Sequence, residues 1–117
     1  MHELGVVFHI ADSVVKVAEE NGVRRVRRVT LEIGEVSTVV PEYLTDVWNW
    51  NCKRVPLLEG CALEIERIHA VTHCDGCGRD YDTVPQGRIC PYCGSERTWL
   101  LTGNELNIRE IAVEDNE

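Results

Sequence analysis

The sequence predicts an α+β fold: a small mixed β-sheet with two helices, and a four-cysteine module inserted into it. Three observations predict this. Apolar residues recur at helical spacing over residues 4–21. Further along, three separate runs alternate with the period of two that marks half-buried strands. Between the second and third of these runs, two Cys-x-x-Cys pairs replace the apolar pattern altogether.

The first helix covers "LGVVFHIADSVVKVAEEN", with Leu4, Val7, Phe8, Ala11, Val14, Val15 and Ala18 expected on its buried face. Gly5, His9, Asp12, Lys16 and Glu19 take the other face, and Asn21–Gly22 supplies the stop. No Ser, Thr, Asp or Asn caps its start, and an ammonium at the positive end of the helix dipole is unfavourable. The first two or three residues are therefore expected to fray.

Val29, Leu31 and Ile33 alternate with Arg28, Thr30 and Glu32 as the first strand, which Gly34 ends. Pro41 is well placed as the first residue of a second helix, because its fixed φ suits that position and its missing N–H costs nothing there. Glu42 complements the dipole in the first turn, and Leu44, Val47 and Trp48 give an apolar stripe running to about Cys52. "KRVPLLEG" is a loop, and "ALEIERI" a second strand with Leu63 and Ile65 inward. The third strand, "ELNIREIAV", alternates at Leu106 and Ile108, then slips phase to Ile111 and Val113, as a bulge would make it.

Composition narrows the function. Twelve Lys and Arg against twenty Asp and Glu leave a net charge of −8, a sign that repels phosphate backbones. No apolar run approaches the roughly 18 residues that cross a bilayer. The acidic N-terminal segment lacks the basic region of a signal peptide, so a cytoplasmic protein is expected. With one Phe, three Tyr and three Trp, the core must come mainly from Val, Ile and Leu. The expected organisation is an α/β domain built from residues 1–70 and 100–117, with a module over 71–99 inserted between two strands.

Cys74-x-x-Cys77 and Cys90-x-x-Cys93 are separated by twelve residues, and each pair is followed by a glycine that permits a tight turn. Four thiolates make a soft tetrahedral site suited to zinc, filled entirely by protein and therefore structural. An insert this short has almost no core, so the metal would hold this zinc-ribbon module folded. "CPYC" at 90–93 is also a redox string, but Gly94 breaks the helix that such a motif requires, and a second Cys-x-x-Cys stands ready as partner. Within 73–97, Arg79, Arg88 and Arg97 face Asp75, Asp80, Asp82 and Glu96, which leaves no basic stripe for nucleic acid. Cys52 and Cys61 lack ligand spacing and are expected as buried thiols. His69 and His73 are loop or strand residues, or, for His73, a further ligand or pH-coupled neighbour of the metal.

The chain opens Met1-His2-Glu3. A free amine on Met1, the amide nitrogen of His2 and the His2 imidazole Nδ1 close adjacent chelate rings around one ion. Glu3 offers a fourth position through its amide or its carboxylate. Such nitrogen-rich planar sets favour Ni(II) or Cu(II) over zinc.

"MHE" at the start, "LEIGEVS", "EGCALEIE", the paired cysteines and "GNELNIREI" together resemble the HypA/HybF family of hydrogenase maturation proteins, in the right order through nearly the whole chain. The resemblance implies a nickel metallochaperone rather than an enzyme. It implies Ni(II) held by Met1, His2 and Glu3 and structural zinc held by Cys74, Cys77, Cys90 and Cys93. It also implies delivery of nickel to the precursor of the nickel–iron hydrogenase large subunit, together with a HypB-type nickel GTPase. Urease maturation factors are further partners in some organisms, and a homodimer stays open. Two features depart from the family. Some members carry an aspartate in the loop after the first strand, where this chain reads Val39-Val40-Pro41 with Glu42 as the acid next to it, and Gly78 and Gly94 stand where flanking histidines occur in other members. The competing function is a structural zinc-ribbon adaptor that mediates protein–protein contacts without nickel transfer.

Overall fold

The structure, a computed structural model, describes residues 3–114. Met1 and His2 lie outside the described residues, and so does the fraying expected of them. The elements run α1 (Glu3–Glu20), β1 (Val26–Gly34), α2 (Pro41–Cys52), a short 3-10 turn (Pro56–Leu58), β2 (Ala62–Ile68), β3 (Val71–Cys74), β4 (Asp80–Asp82), α3 (Thr83–Gln86), β5 (Thr98–Thr102) and β6 (Leu106–Val113). Two three-stranded sheets result, one in the order β2-β1-β6 and the other β4-β3-β5. The chain divides into two compact units: the first comprises 3–31, 38–66 and 107–114 of the described residues, the second Glu32–Ser37 with Arg67–Leu106.

In the first unit, α1 and α2 pack on each other. The core collects Val6, Val7, Ile10, Ala11, Val14 and Ala18 of α1, Val26, Val29 and Leu31 of β1, Leu44 and Trp48 of α2, and Leu58. The buried stripe of α1 is turned from the expected one: Val6 and Ile10 take core positions, Leu4 and Phe8 are exposed, and Val15 is half-buried. The reason is local composition. Between Leu4 and Ala11 only Gly5 and His9 are not large or small apolar residues, so more than one stripe satisfies helical periodicity and tertiary packing selects the phase. The helix ends as Asn21–Gly22 implies, with the Val23 N–H donating to Ala18 O at 2.8 Å and Asn21 N–H reaching Val17 O at 3.2 Å. Trp48 anchors α2: its indole N–H donates to Cys61 O at 3.2 Å, satisfying the polar end of a fully buried ring. Charges pair around β1, with Arg28 3.0 Å from Glu110 and 3.8 Å from Glu64, and Arg109 bonded to Glu66.

The second unit is tied by backbone contacts around the end of β1. Gly34 N–H donates to Glu105 O, Glu35 N–H to Ile68 O and Val36 N–H to Gly103 O, all at 2.8–2.9 Å. Here glycine is a steric requirement, since a Cβ on Gly34 would stand 1.9 Å from Gly103 O. In the β4-β3-β5 sheet, His73 lies opposite Asp80 on one side and Trp99 on the other, and a register shift falls between Val71 and Thr72. Ile33, Ala70 and Thr72 are buried in this unit, and Cys74, Tyr81 and Cys90 form a buried cluster in which the Tyr81 hydroxyl donates to Gly87 O at 2.8 Å.

Candidate metal centre

Two copies of one local turn build the site. In the first, Gly78 N–H donates to Cys74 O at 2.8 Å and Cys74 N–H to Arg79 O at 2.9 Å. In the second, Gly94 N–H donates to Cys90 O at 2.9 Å and Cys90 N–H to Ser95 O at 3.0 Å. Each turn closes on a left-handed glycine, φ +76° at Gly78 and +73° at Gly94, where a Cβ would be strained. The spacing of the pairs is thus a backbone requirement as well as a ligand requirement: each turn carries its two sulfurs to the same side.

The four sulfurs converge. Cys74 Sγ lies 3.6 Å from Cys93 Sγ and Cys77 Sγ 3.7 Å from Cys90 Sγ, with all four within 4.8 Å of one another. Four ligands at about 2.3 Å from a central zinc stand roughly 3.8 Å apart at the corners of a tetrahedron. The separations observed fit that figure, and no other donor joins the cluster among the described residues. This is a four-cysteine metal-binding site. Cys74 and Cys90 are buried at its base, while Cys77 and Cys93 are exposed.

Without metal the thiols do not ionise alike. Desolvation works against the Cys90 thiolate, yet the backbone N–H groups of Cys93 and Tyr92 and the neighbouring thiols lower it to about 7. At Cys93 the Ser95 N–H favours the thiolate, but desolvation and the surrounding sulfurs push it up to about 12. Cys77 is raised in the same way, against the pull of the Arg79 N–H.

His73 points away from the sulfurs in its bonding. Its Nδ1 lies 2.6 Å from Asp80 Oδ1 and its Nε2 3.6 Å from Asp75 Oδ1, with the ring 5.4 Å from that of Trp99. Both nitrogens face carboxylates, so His73 supports the turn as a neighbour and is not one of the ligands. His69 likewise lies between acids, 2.8 Å from Asp82 and 3.3 Å from Glu35. Cys52 and Cys61 are buried, and desolvation pushes their thiols up to about 12 and about 11, which keeps them protonated and unreactive. Residues 90–93 form a turn and no helix follows them, so "CPYC" lacks the setting of a redox motif. At the other candidate site, Glu3 is the half-buried first residue of α1, beside Leu4, Gly5 and Phe8. Its companions Met1 and His2 lie outside the described residues.

Sequence reasoning missed the carboxylate partners of His69 and His73. Asp82 and Asp80 are separated from them by 13 and 7 residues, and only the pairing of β3 with β4 reveals the contact.

The family model described as hydrogenase/urease nickel incorporation, metallochaperone, hypA matches residues 1–113. The chain belongs to the HypA family. It is 39% identical to the hydrogenase maturation factor HypA of Geobacter metallireducens, over 97% of this chain and 100% of that one. It is 33% identical to the hydrogenase maturation factor HybF of Klebsiella pneumoniae, again over 97% and 100%. The fold is that of the solution structure of the Ni metallochaperone HypA from Helicobacter pylori, at TM-score 0.72, 20% identity and 97% coverage of both chains. The matched span of the family model contains Met1, His2, Glu3 and all four clustered cysteines.

Proposed function

We propose that this protein is a non-enzymatic nickel metallochaperone that delivers Ni(II) to the large-subunit precursor of a nickel–iron hydrogenase. The observation that carries the reading is a family match running through residues 1–113, a span that holds both the terminal Met1-His2-Glu3 and the four-sulfur cluster. Nickel is the cargo. The amine of Met1, the amide nitrogen and Nδ1 of His2, and Glu3 receive it as a nitrogen-rich set matched to Ni(II). Structural zinc is held by Cys74, Cys77, Cys90 and Cys93, whose separations fit its tetrahedron. The nickel-binding domain is residues 1–70 with 100–117, and the inserted zinc domain is 71–99. A HypB-type GTPase is the working partner, urease maturation factors are a second outlet, and the transfer takes place in the cytoplasm.

A metal titration tests this reading. Protein beginning at Met1 binds about one equivalent of Ni(II) and keeps its zinc. One added residue before Met1, or His2→Ala, abolishes nickel binding without displacing zinc. Equal nickel binding by the extended protein refutes the terminal site and leaves the zinc-ribbon adaptor as the surviving function. The Met1 amine and the His2 imidazole must both be deprotonated to bind, so nickel affinity falls as pH drops below about 6.5.

A further inference from the structure

The four-sulfur cluster is not symmetric toward solvent. Cys74 and Cys90, the first cysteine of each turn, are 0% and 1% exposed and pack with Tyr81. Cys77 and Cys93, the second of each turn, are exposed. The site therefore has a closed edge made by the first cysteines and an open edge made by the second, one from each turn. The open-edge sulfurs lie within 4.8 Å of each other. No other exposed cysteine occurs in the chain, because Cys52 and Cys61 are buried in the first unit.

The geometry points to Cys77 and Cys93 as a peroxide-sensitive modification site whose oxidation to a Cys77–Cys93 disulfide releases the metal and dismantles the ribbon. The inference rests on the zinc reading of the four-sulfur cluster. Electrophiles reach a thiolate only where it is accessible, and metal-bound thiolates stay nucleophilic without a free proton to remove. In the first step the sulfur of Cys77 or Cys93 attacks hydrogen peroxide. An S–O bond forms, the O–O bond breaks, and hydroxide leaves to be protonated to water. In the second step the other exposed sulfur attacks that sulfenic acid. The S–S bond forms, the S–O bond breaks, and a second water leaves. Two thiolates, one peroxide and two protons become one disulfide and two waters. The ion, left with Cys74 and Cys90, loses half its donor set and dissociates.

Loss of the ion removes more than a ligand set here. Two of the three residues in the cluster of Cys74, Tyr81 and Cys90 are themselves ligands, so the packing of that cluster goes with the metal. Glycines close both turns, and β3, β4 and β5 are only three to five residues long, which leaves little to hold the unit in shape. Reduction of the disulfide by a cellular dithiol restores both thiolates and the site.

The experiment uses the full chain with its zinc in place, its content fixed first by elemental analysis. Limiting hydrogen peroxide is added, zinc release is followed with a chromogenic chelator, and disulfides are located by non-reducing peptide mapping. The expected result is zinc release in step with a Cys77–Cys93 linkage, while Cys52 and Cys61 stay reduced. In parallel, N-ethylmaleimide labels Cys77 and Cys93 at least about tenfold faster than Cys74 and Cys90. A first-formed disulfide containing Cys74 or Cys90, equal labelling of all four, or zinc retained after both exposed sulfurs are alkylated overturns the inference. Protein that carries no zinc when isolated removes instead the reading on which the switch rests, and the switch with it.

Discussion

His69 Nε2 lies 2.8 Å from Asp82 Oδ1, and on its other side Nδ1 lies 3.3 Å from Glu35 Oε1. The imidazole occupies the connection between β2 and β3 and pairs with the end of β4 and with the segment after β1, all within the second unit. Glu35 holds that position by accepting the Ala70 N–H at 2.9 Å, and the Thr102 hydroxyl donates to His69 O at 2.9 Å. One exposed histidine thus joins four stretches of chain.

The hydrogen bond to Asp82 is the main reason that His69 titrates above its usual 6.5; the Asp82 charge and then the Glu35 charge add to it, against desolvation. A raised histidine value means that the contribution of this pair to stability is full below pH 6.5 and is lost as pH rises through the folded-state value. Ring-proton NMR titration is expected to show Asp82→Asn returning His69 toward 6.5, with Glu35→Gln giving a smaller decrease. A wild-type value at or below 6.5 contradicts the observed pairing.

Zinc uptake by metal-free protein at pH 7.5 is expected to release protons, because Cys77 and Cys93 are raised and Cys93 reaches about 12. Both thiols must lose a proton to ligate, so zinc affinity rises with pH across the neutral range. Indicator absorbance in weakly buffered solution measures the release. Uptake with no proton release would require thiols already ionised.

Gly34→Ala forces a Cβ to within 1.9 Å of Gly103 O, a backbone atom with no rotamer to yield. A loss of at least about 3 kcal/mol in urea unfolding is expected. Gly5→Ala is the contrasting case. It lies in α1 with nothing within 4 Å of the added carbon, and a gain of about 0.5–1 kcal/mol is expected from helix propensity.

Trp48→Phe removes the buried indole N–H that donates to Cys61 O. A loss of about 1–3 kcal/mol is expected from the missing bond and the space left behind. Trp50 is 49% exposed, and its ring contacts are with Phe8 and the Arg54 guanidinium. Trp50→Phe should change stability by no more than about 0.5 kcal/mol, which circular dichroism on the same urea series resolves.

Much of this fold is legible in the residues. Pro41 marks the start of α2, Asn21–Gly22 the end of α1, and the alternation at Leu106 and Ile108 the strand β6, whose exposure slips phase between Arg109 and Glu110. The four clustered cysteines are legible because their spacing is a chemical requirement. The phase of α1 is not, since Leu4, Val6, Val7, Phe8 and Ile10 offer competing stripes and only the packed neighbours choose between them. The strands β3, β4 and β5 escape notice as well. They are too short to show a period of two, and sulfur convergence and turn hydrogen bonds organise them more than side-chain patterning does.

The joint burial of Cys74, Cys90 and Tyr81 has a consequence for the life of the protein in the cell. In most small domains apolar side chains keep the chain compact when a ligand departs. Here two of the three side chains in one buried cluster are also sulfurs of the coordination site, so the packing around Tyr81 depends on the bound metal. Metal occupancy then sets how readily this part of the chain opens, and proteolysis of the metal-free protein is expected to begin there.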